Sequence, residues 1–305
     1  MQPTKYVNPM VDVAFKQIFG QEKNKRLMRE LLEHVFRITI SELNYVNVEH
    51  PGRTYEDRNA VFDLECRSDQ IGDFIVEVQV KEQKHFAERA LYYGTIPIAA
   101  QAPRGEWNYA LKPVFFLGFV NFALSFPGEK EDGCIHRYSL RNDSTGARMT
   151  DCLQFVFMEV QKFDKPLDDC GSFEEKLLYY FKNLPTFAEK PPQEQDSYFE
   201  ELLTAAEYAR MNRSTMTDYE RRLKIMRDNW SAEQFMIEKA TTEGLEKGMK
   251  EGREKGIKEG LEKGMKEGMK EGKAEAERQI AERMLSEGFS KDQVSRLTGL
   301  PIDLL

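Results

Sequence analysis

Apolar residues recur at helical spacing near the start of the chain. Val11, Phe15, Ile18 and Phe19 are followed, after Gly20, by Leu27, Leu31, Leu32, Val35 and Phe36. Asn8-Pro9 offers a cap and a first-turn proline, so a helix over 8–36 is predicted. The period then shortens. Runs of β character occupy 42–50, 59–67 and 74–81. A helix fits 84–101, with Ala87, Ala90, Leu91 and Ile98 apolar, and further strands are expected at 112–120, 134–141 and 153–161. The order is α-β-β-β-α-β with strands appended, which predicts an α/β fold: a mixed sheet flanked by helices. From about 172 onward the pattern is helical, through "FEEKLLYYFKNL", "SYFEELLTAAEYARM" and "YERRLKIMRDNW".

An internal repeat follows. Glycine stands at every fourth position from Gly244 to Gly272. Leu245, Met249, Ile257, Leu261, Met265 and Met269 follow the glycines, and Arg253 breaks the row. A period of four makes the row wind slowly round a helix. Each glycine costs about 1 kcal/mol of helix propensity, while interleaved Glu and Lys return a few tenths per i,i+4 pair. Two readings stand: a solvated helix or linker, and a self-association helix whose small residues allow close backbone approach. The last segment, "AERQIAERMLSEGFSKDQVSRLTGLPIDLL", predicts a helix ending at Ser286-Glu287-Gly288. A second helix is capped by Ser290 and ended by Gly299. Its outline is that of a helix-turn-helix, yet it carries only Lys291 and Arg296 as cations, opposed by Asp292. A small capping or protein-contact module is the plainer reading.

The chemistry concentrates in "NAVFDLECRSDQIGDFIVEVQVKEQ", residues 59–83. Alternation puts Phe74, Val76, Val78 and Val80 on one strand face and Ile75, Glu77, Gln79 and Lys81 on the other. In the preceding strand Val61, Asp63 and Glu65 share a face, with Phe62, Leu64 and Cys66 opposite. A turn centred near 69–72 would pair the strands antiparallel and bring Asp63 beside Glu77. Two such carboxylates repel unless one is protonated or a cation neutralises them. Mg²⁺ suits them, since it takes oxygen ligands, often one or two carboxylates with waters and substrate phosphate. Bound there, it would polarise a phosphoryl oxygen and lower the pKa of an attacking water. The competing reading is the solvated polar face of an edge hairpin.

Charge and composition narrow the classes. The chain has 305 residues and a net charge of −8, which argues against a broad basic surface for nucleic acid but leaves room for a local basic cleft. No basic start precedes an apolar run, and no stretch of about 18 apolar residues occurs, so neither a signal peptide nor a membrane span is expected. Cys66, Cys134, Cys152 and Cys170 are far apart and form no CxxC, as expected of structural thiols in a cytoplasmic protein. His34, His50, His85 and His136 form no HxH or HxxxH pair, which speaks against a histidine-based metal site. Neither GxxxxGK[ST] nor GxSxG occurs, so no nucleotide cofactor and no serine nucleophile are expected.

"VDVAFKQIFG" (11–20), "FDLEC" (62–66), "IVEVQV" (75–80), "ERALYYG" (88–94) and "WNYALKPVFFLGFVNF" (107–122) come in one order. In that order the chain resembles the recombination-promoting nuclease (Rpn) and transposase family, a branch of the PD-(D/E)XK nucleases. The resemblance covers roughly the first 160 residues. It implies a restriction-endonuclease-like core with an all-helical C-terminal extension. The implied domains are a nuclease-like core over 1–165, a helical subdomain over 166–240, the glycine-repeat helix or linker over 241–278, and the C-terminal module over 279–305.

The resemblance implies Asp63 and Glu77 as metal ligands, with Gln79 completing the catalytic set in the place of a lysine. Gln79 cannot supply a lysine's charge; Lys81 or Lys16 could substitute, and Lys81 also reads as a solvated strand end. Asp12 and Lys16 lie one helical turn apart, either beside the site or as a surface ion pair. Arg89 and Tyr93 share a helix face and are implied to support the carboxylates or touch phosphate, although Tyr92 or Tyr93 could equally be a core aromatic. The implied activity is Mg²⁺-dependent DNA endonuclease cleavage, with Mn²⁺ as a substitute ion, in recombination, mobile-element or phage-defence biology. The alternative is a weak or inactive nuclease fold that binds DNA or protein and assembles through its helical tail.

Overall fold

The computed structural model of the chain describes residues 5–46, 49–50, 60–102, 105–124, 133–189 and 196–304. Helices α1 (Asp12–Phe19) and α2 (Lys25–Phe36) open it. The single helix expected over 8–36 is therefore two, because Gly20 caps the first and a 3-10 turn at Glu22–Asn24 redirects the chain. Its start also moves: the Asn8 side chain accepts from the Met10 amide at 2.9 Å, so Pro9 lies in a turn before the helix.

Short strands β1 (Asn44–Tyr45), β2 (Glu49–His50) and β3 (Ala60–Val61) lead to the hairpin of β4 (Leu64–Ser68) and β5 (Gly72–Gln79). The strands expected at 42–50 and 59–67 are thus each divided; residues 47–48 and 59 lie outside the described residues. Helix α3 (Phe86–Ala100), strands β6 (Val114–Val120), β7 (Ile135–Ser139) and β8 (Leu153–Glu159), and helices α4 (Phe173–Asn183) and α5 (Ser197–Ala205) follow. The main sheet has the order β1-β4-β5-β6-β8-β7. β5, β6 and β8 are parallel, while β1, β4 and β7 pair antiparallel to their neighbours. β2 and β3 form a separate antiparallel pair. The whole is a mixed six-strand sheet flanked by helices, in the restriction-endonuclease-like arrangement, with a helical C-terminal extension.

Both faces of the central strands are covered, as runs such as Val114-Phe115-Phe116-Leu117 require. Phe74, Val76, Phe115, Leu117, Phe119, Val156 and Met158 share a core with buried side chains of α1, α2, α4 and α5. Within it Phe119 stacks on Phe181 at 4.4 Å between ring centroids, and Phe15 packs against both. On the opposite face Ile75, Val114, Phe116 and Phe157 pack with Phe86 and Ala90 of α3. The second face of β5, expected to be polar, is therefore buried, and the solvated edge-hairpin reading fails: β5 is an interior strand.

Two glycines let the hairpin sit here. Gly72 has φ +142°, and a Cβ on it would lie 2.0 Å from the Pro113 carbonyl oxygen. Only glycine turns the hairpin while its neighbour Asp73 donates its amide to that same carbonyl at 3.0 Å. Gly118 lies beside Glu77 in the sheet, and the Phe157 ring occupies the space its side chain would take.

The chain divides into two compact units, Met1–Met226 and Arg227–Leu305. Helix α6 (Arg213–Ser286) contains the glycine repeat as continuous helix, and Leu245, Met249, Ile257, Leu261, Met265 and Met269 are all more than half exposed along it. After Gly288, helix α7 (Lys291–Thr298) begins at Ser290, whose amide donates to Gln293, and ends at Gly299 with φ +76°. Both ends fall where the capping residues place them. Among the described residues of this second unit, Ala281 and Val294 are buried. No helix among the described residues is long and apolar enough to cross a membrane.

Candidate active site

The β4–β5 register pairs Leu64 with Val76 and Glu65 with Ile75, so the next step opposes Asp63 to Glu77. The ladder ends there, and the two acids continue it with their side chains. Asp63 Oδ2 accepts the Val78 amide at 2.9 Å, and Glu77 Oε1 accepts the Asp63 amide at 3.2 Å. Each carboxylate is thereby fixed by one oxygen on a strand end.

The break also corrects the expected facing of β4. Leu64 and Cys66 enter the core under α1 and α2, but Phe62 crosses to the α3 side, where its ring meets Tyr93 edge-on at 5.1 Å. The chain leaves regular strand geometry at Phe62-Asp63, so period-two alternation does not carry across it. Glu65 keeps its expected side and is fully buried.

The pair is poorly solvated, Glu77 being only 7% exposed. Burial raises the Glu77 carboxyl to about 8, with the Asp63 charge adding to the rise. Burial likewise raises Asp63, partly offset by its bond from Val78. Arg89 and Lys16 act the other way on both, and Asp12 adds repulsion at Asp63. Tyr93 is raised by burial and then by the Glu77 charge. Residues from α1, the hairpin and α3 therefore share one electrostatic neighbourhood.

Gln79 lies one pleat beyond Glu77. Its side-chain oxygen accepts from Arg89 Nη2 at 2.7 Å, and its amide nitrogen donates to the Lys81 carbonyl at 2.9 Å. Arg89 also donates to Gln83 and lies over the rings of Phe86 and Tyr93, at 5.5 and 5.8 Å. Lys81 is exposed beyond the end of β5. Asp12 pairs with Arg222 of α6 at 3.3 Å, where a partnership with Lys16 was one of the expectations. Two residues of this region were missed from the sequence. Gln83 carries no local signal; it lies in the loop before α3, where His85 has φ +62°. Arg222 lies 210 residues from its partner, in an ordinary charged helix.

No group of three or more His, Cys, Asp or Glu side chains that could hold a metal occurs among the described residues. Two carboxylates alone suit an ion that fills its remaining positions with water, carbonyl and phosphate oxygens, as Mg²⁺ does, better than a structural zinc. The raised pKa of the Glu77 carboxyl, to which burial and then the Asp63 charge contribute, is what a bound cation would relieve.

A mixed sheet with this hairpin in its interior and α3 packed on one face is of the restriction-endonuclease-like α/β class. The chain belongs to the PD-(D/E)XK nuclease family transposases, whose family model matches residues 9–235. A search of curated proteins found no match, and neither did a search of solved structures.

Proposed function

We propose that this protein is a cytoplasmic, divalent-metal-dependent DNA endonuclease. Mg²⁺ is its ion and Mn²⁺ a substitute, and its cleavage serves recombination or the control of mobile and foreign DNA. One observation carries the reading: Asp63 and Glu77, opposed at the broken end of the β4–β5 ladder, are each fixed by a backbone amide and buried, and burial, with the Asp63 charge adding to it, raises the Glu77 carboxyl. Buried carboxylates with perturbed pKa values beside specific charge partners are candidates for a functional site.

Asp63 and Glu77 would hold the ion. It would lower the pKa of a bound water and draw charge from a phosphoryl oxygen. In the reaction the water oxygen bonds to phosphorus and the bond from phosphorus to one deoxyribose oxygen breaks. One proton leaves the water and one ends on the sugar oxygen, so the products are a phosphate monoester and a sugar hydroxyl. Lys16 and Arg89 add positive charge beside the carboxylates, Tyr93 and Asp12 line the same neighbourhood, and Lys81 stands at its exposed rim.

Supercoiled plasmid incubated with Mg²⁺, with Mn²⁺ and with EDTA, alongside Asp63→Ala, tests this. Metal-dependent nicking lost in the variant is expected; absence of nicking by folded wild type on several DNA forms overturns it. That second result would favour a DNA- or protein-binding assembly factor. The exposed apolar row on α6 supports a self-association role for the tail in either case.

A further inference from the structure

We propose that Arg89, held by Gln79, is the cationic group that meets the scissile phosphate, and that Gln79 is a positioning residue which does not itself touch the substrate. The proposal rests on the hydrolytic reading of the hairpin acids.

Both polar ends of the Gln79 amide are committed, the oxygen to Arg89 and the nitrogen to the Lys81 carbonyl. The amide keeps one N–H and one oxygen lone pair beyond these bonds, but it is neutral and brings no charge to phosphorus. What it does is hold a cation. Arg89 is fixed from three directions: by Gln79 from β5, by Gln83 from the loop before α3, and by the rings of Phe86 and Tyr93 on its own helix. A guanidinium has five N–H groups in a planar fork, and these bonds use two of them. The remainder match the oxygens of a phosphate in the paired geometry that makes arginine selective for such anions.

Lys16 is the rival cation, and it too bears on both carboxylates. Among the described residues, no hydrogen bond or ion pair holds its ammonium group. A group already ordered stabilises developing charge without the reorganisation that a free side chain must undergo. The glutamine in the third motif position and the arginine on α3 thus form one device: strand β5 supplies the bracket and α3 the charge.

The test uses the full chain with Arg89→Met, Arg89→Lys, Gln79→Ala and the double variant Gln79→Lys/Arg89→Met. Two quantities are read: the single-turnover rate of plasmid nicking in Mg²⁺, and the salt dependence of binding to a short DNA duplex in Ca²⁺. Arg89→Met should slow nicking by about 100-fold or more, in line with loss of a preorganised charge donor. It should also lower the slope of log affinity against log salt by about 0.9, one phosphate contact. Gln79→Ala should slow nicking by roughly tenfold, because Gln83 and the rings still hold Arg89. Arg89→Lys should fall between, and the lysine introduced at 79 should recover nicking and slope over Arg89→Met alone.

Wild-type rates in Arg89→Met, or a loss that the lysine at 79 does not recover in a folded protein, overturn the proposal. Should Arg89→Met not fold, Arg89→Lys and Gln79→Ala decide it: unchanged rates and slopes in both overturn it. A wild type that binds with an Arg89-dependent slope yet never nicks overturns the hydrolytic reading and leaves the phosphate contact standing. Nicking that ignores Arg89 overturns this proposal alone.

Discussion

Glu77→Gln should make the metal-free protein more stable, although it removes a residue central to the site. The Glu77 carboxyl is raised from 4.5 to about 8, first by burial and then by the Asp63 charge. A carboxyl whose pKa is higher folded than unfolded contributes stability in full below the unfolded value. That contribution is lost as pH rises through the folded value. The penalty therefore begins near pH 4.5, grows to about pH 8, and then levels. At pH 7 it is about 3 kcal/mol, taken as 1.36 kcal/mol for each of the roughly 2.5 units between 4.5 and 7. Glutamine keeps the shape and the oxygen that accepts the Asp63 amide, and it cannot ionise. Urea denaturation of both proteins in EDTA, from pH 5 to 8.5, should give curves that start close together and separate with rising pH, the variant being the more stable. Added Mg²⁺ should then stabilise the wild type more than the variant. Equal pH slopes for the two proteins, or a variant less stable at pH 8, would refute the claim that the two carboxylates are held in opposition.

Other outcomes follow from the packing. Gly72→Ala should destabilise by about 3 kcal/mol or more, since it combines a forbidden φ with a clash against the Pro113 carbonyl; an unchanged urea midpoint would show that the turn tolerates a side chain. Phe181→Ala should cost about 3–5 kcal/mol, because Phe181 is 1% exposed and packs on Phe15, Phe19 and Phe119; a loss under 1 kcal/mol would mean that the core refills the space. Leu261→Ser with Met265→Ser should lower the mass found by light scattering and leave far-ultraviolet circular dichroism from the first unit intact. A monomeric wild type would end the self-association reading of α6.

Sequence alone determined the features that short-range geometry controls. The turn between Ser68 and Gly72 and the period-two spacing oppose position 63 to position 77, since a hairpin's register follows from its turn. The ends of α7 follow from Ser290 and Gly299, whose side-chain chemistry and backbone freedom act within a few residues. The glycine row of α6 is likewise legible in its spacing, although what it meets is not.

Tertiary structure decided the rest. Alternation along β5 separates two faces but does not reveal that both are covered, because a strand pattern names no neighbour; α3 makes Ile75 and Glu77 interior. Alternation also fails at Phe62, where the ladder stops and the chain turns so that Asp63 can bond across to Val78. Arg89 and Gln79 belong to different elements, joined by a loop whose course depends on the left-handed turn at His85, so their bond is written in no local spacing. The same holds for Asp12 and Arg222, far apart in the chain and brought together only by the packed fold. Short-range physics set the two acids opposite each other; packing of α3 onto the sheet supplied their burial and the arginine beside them.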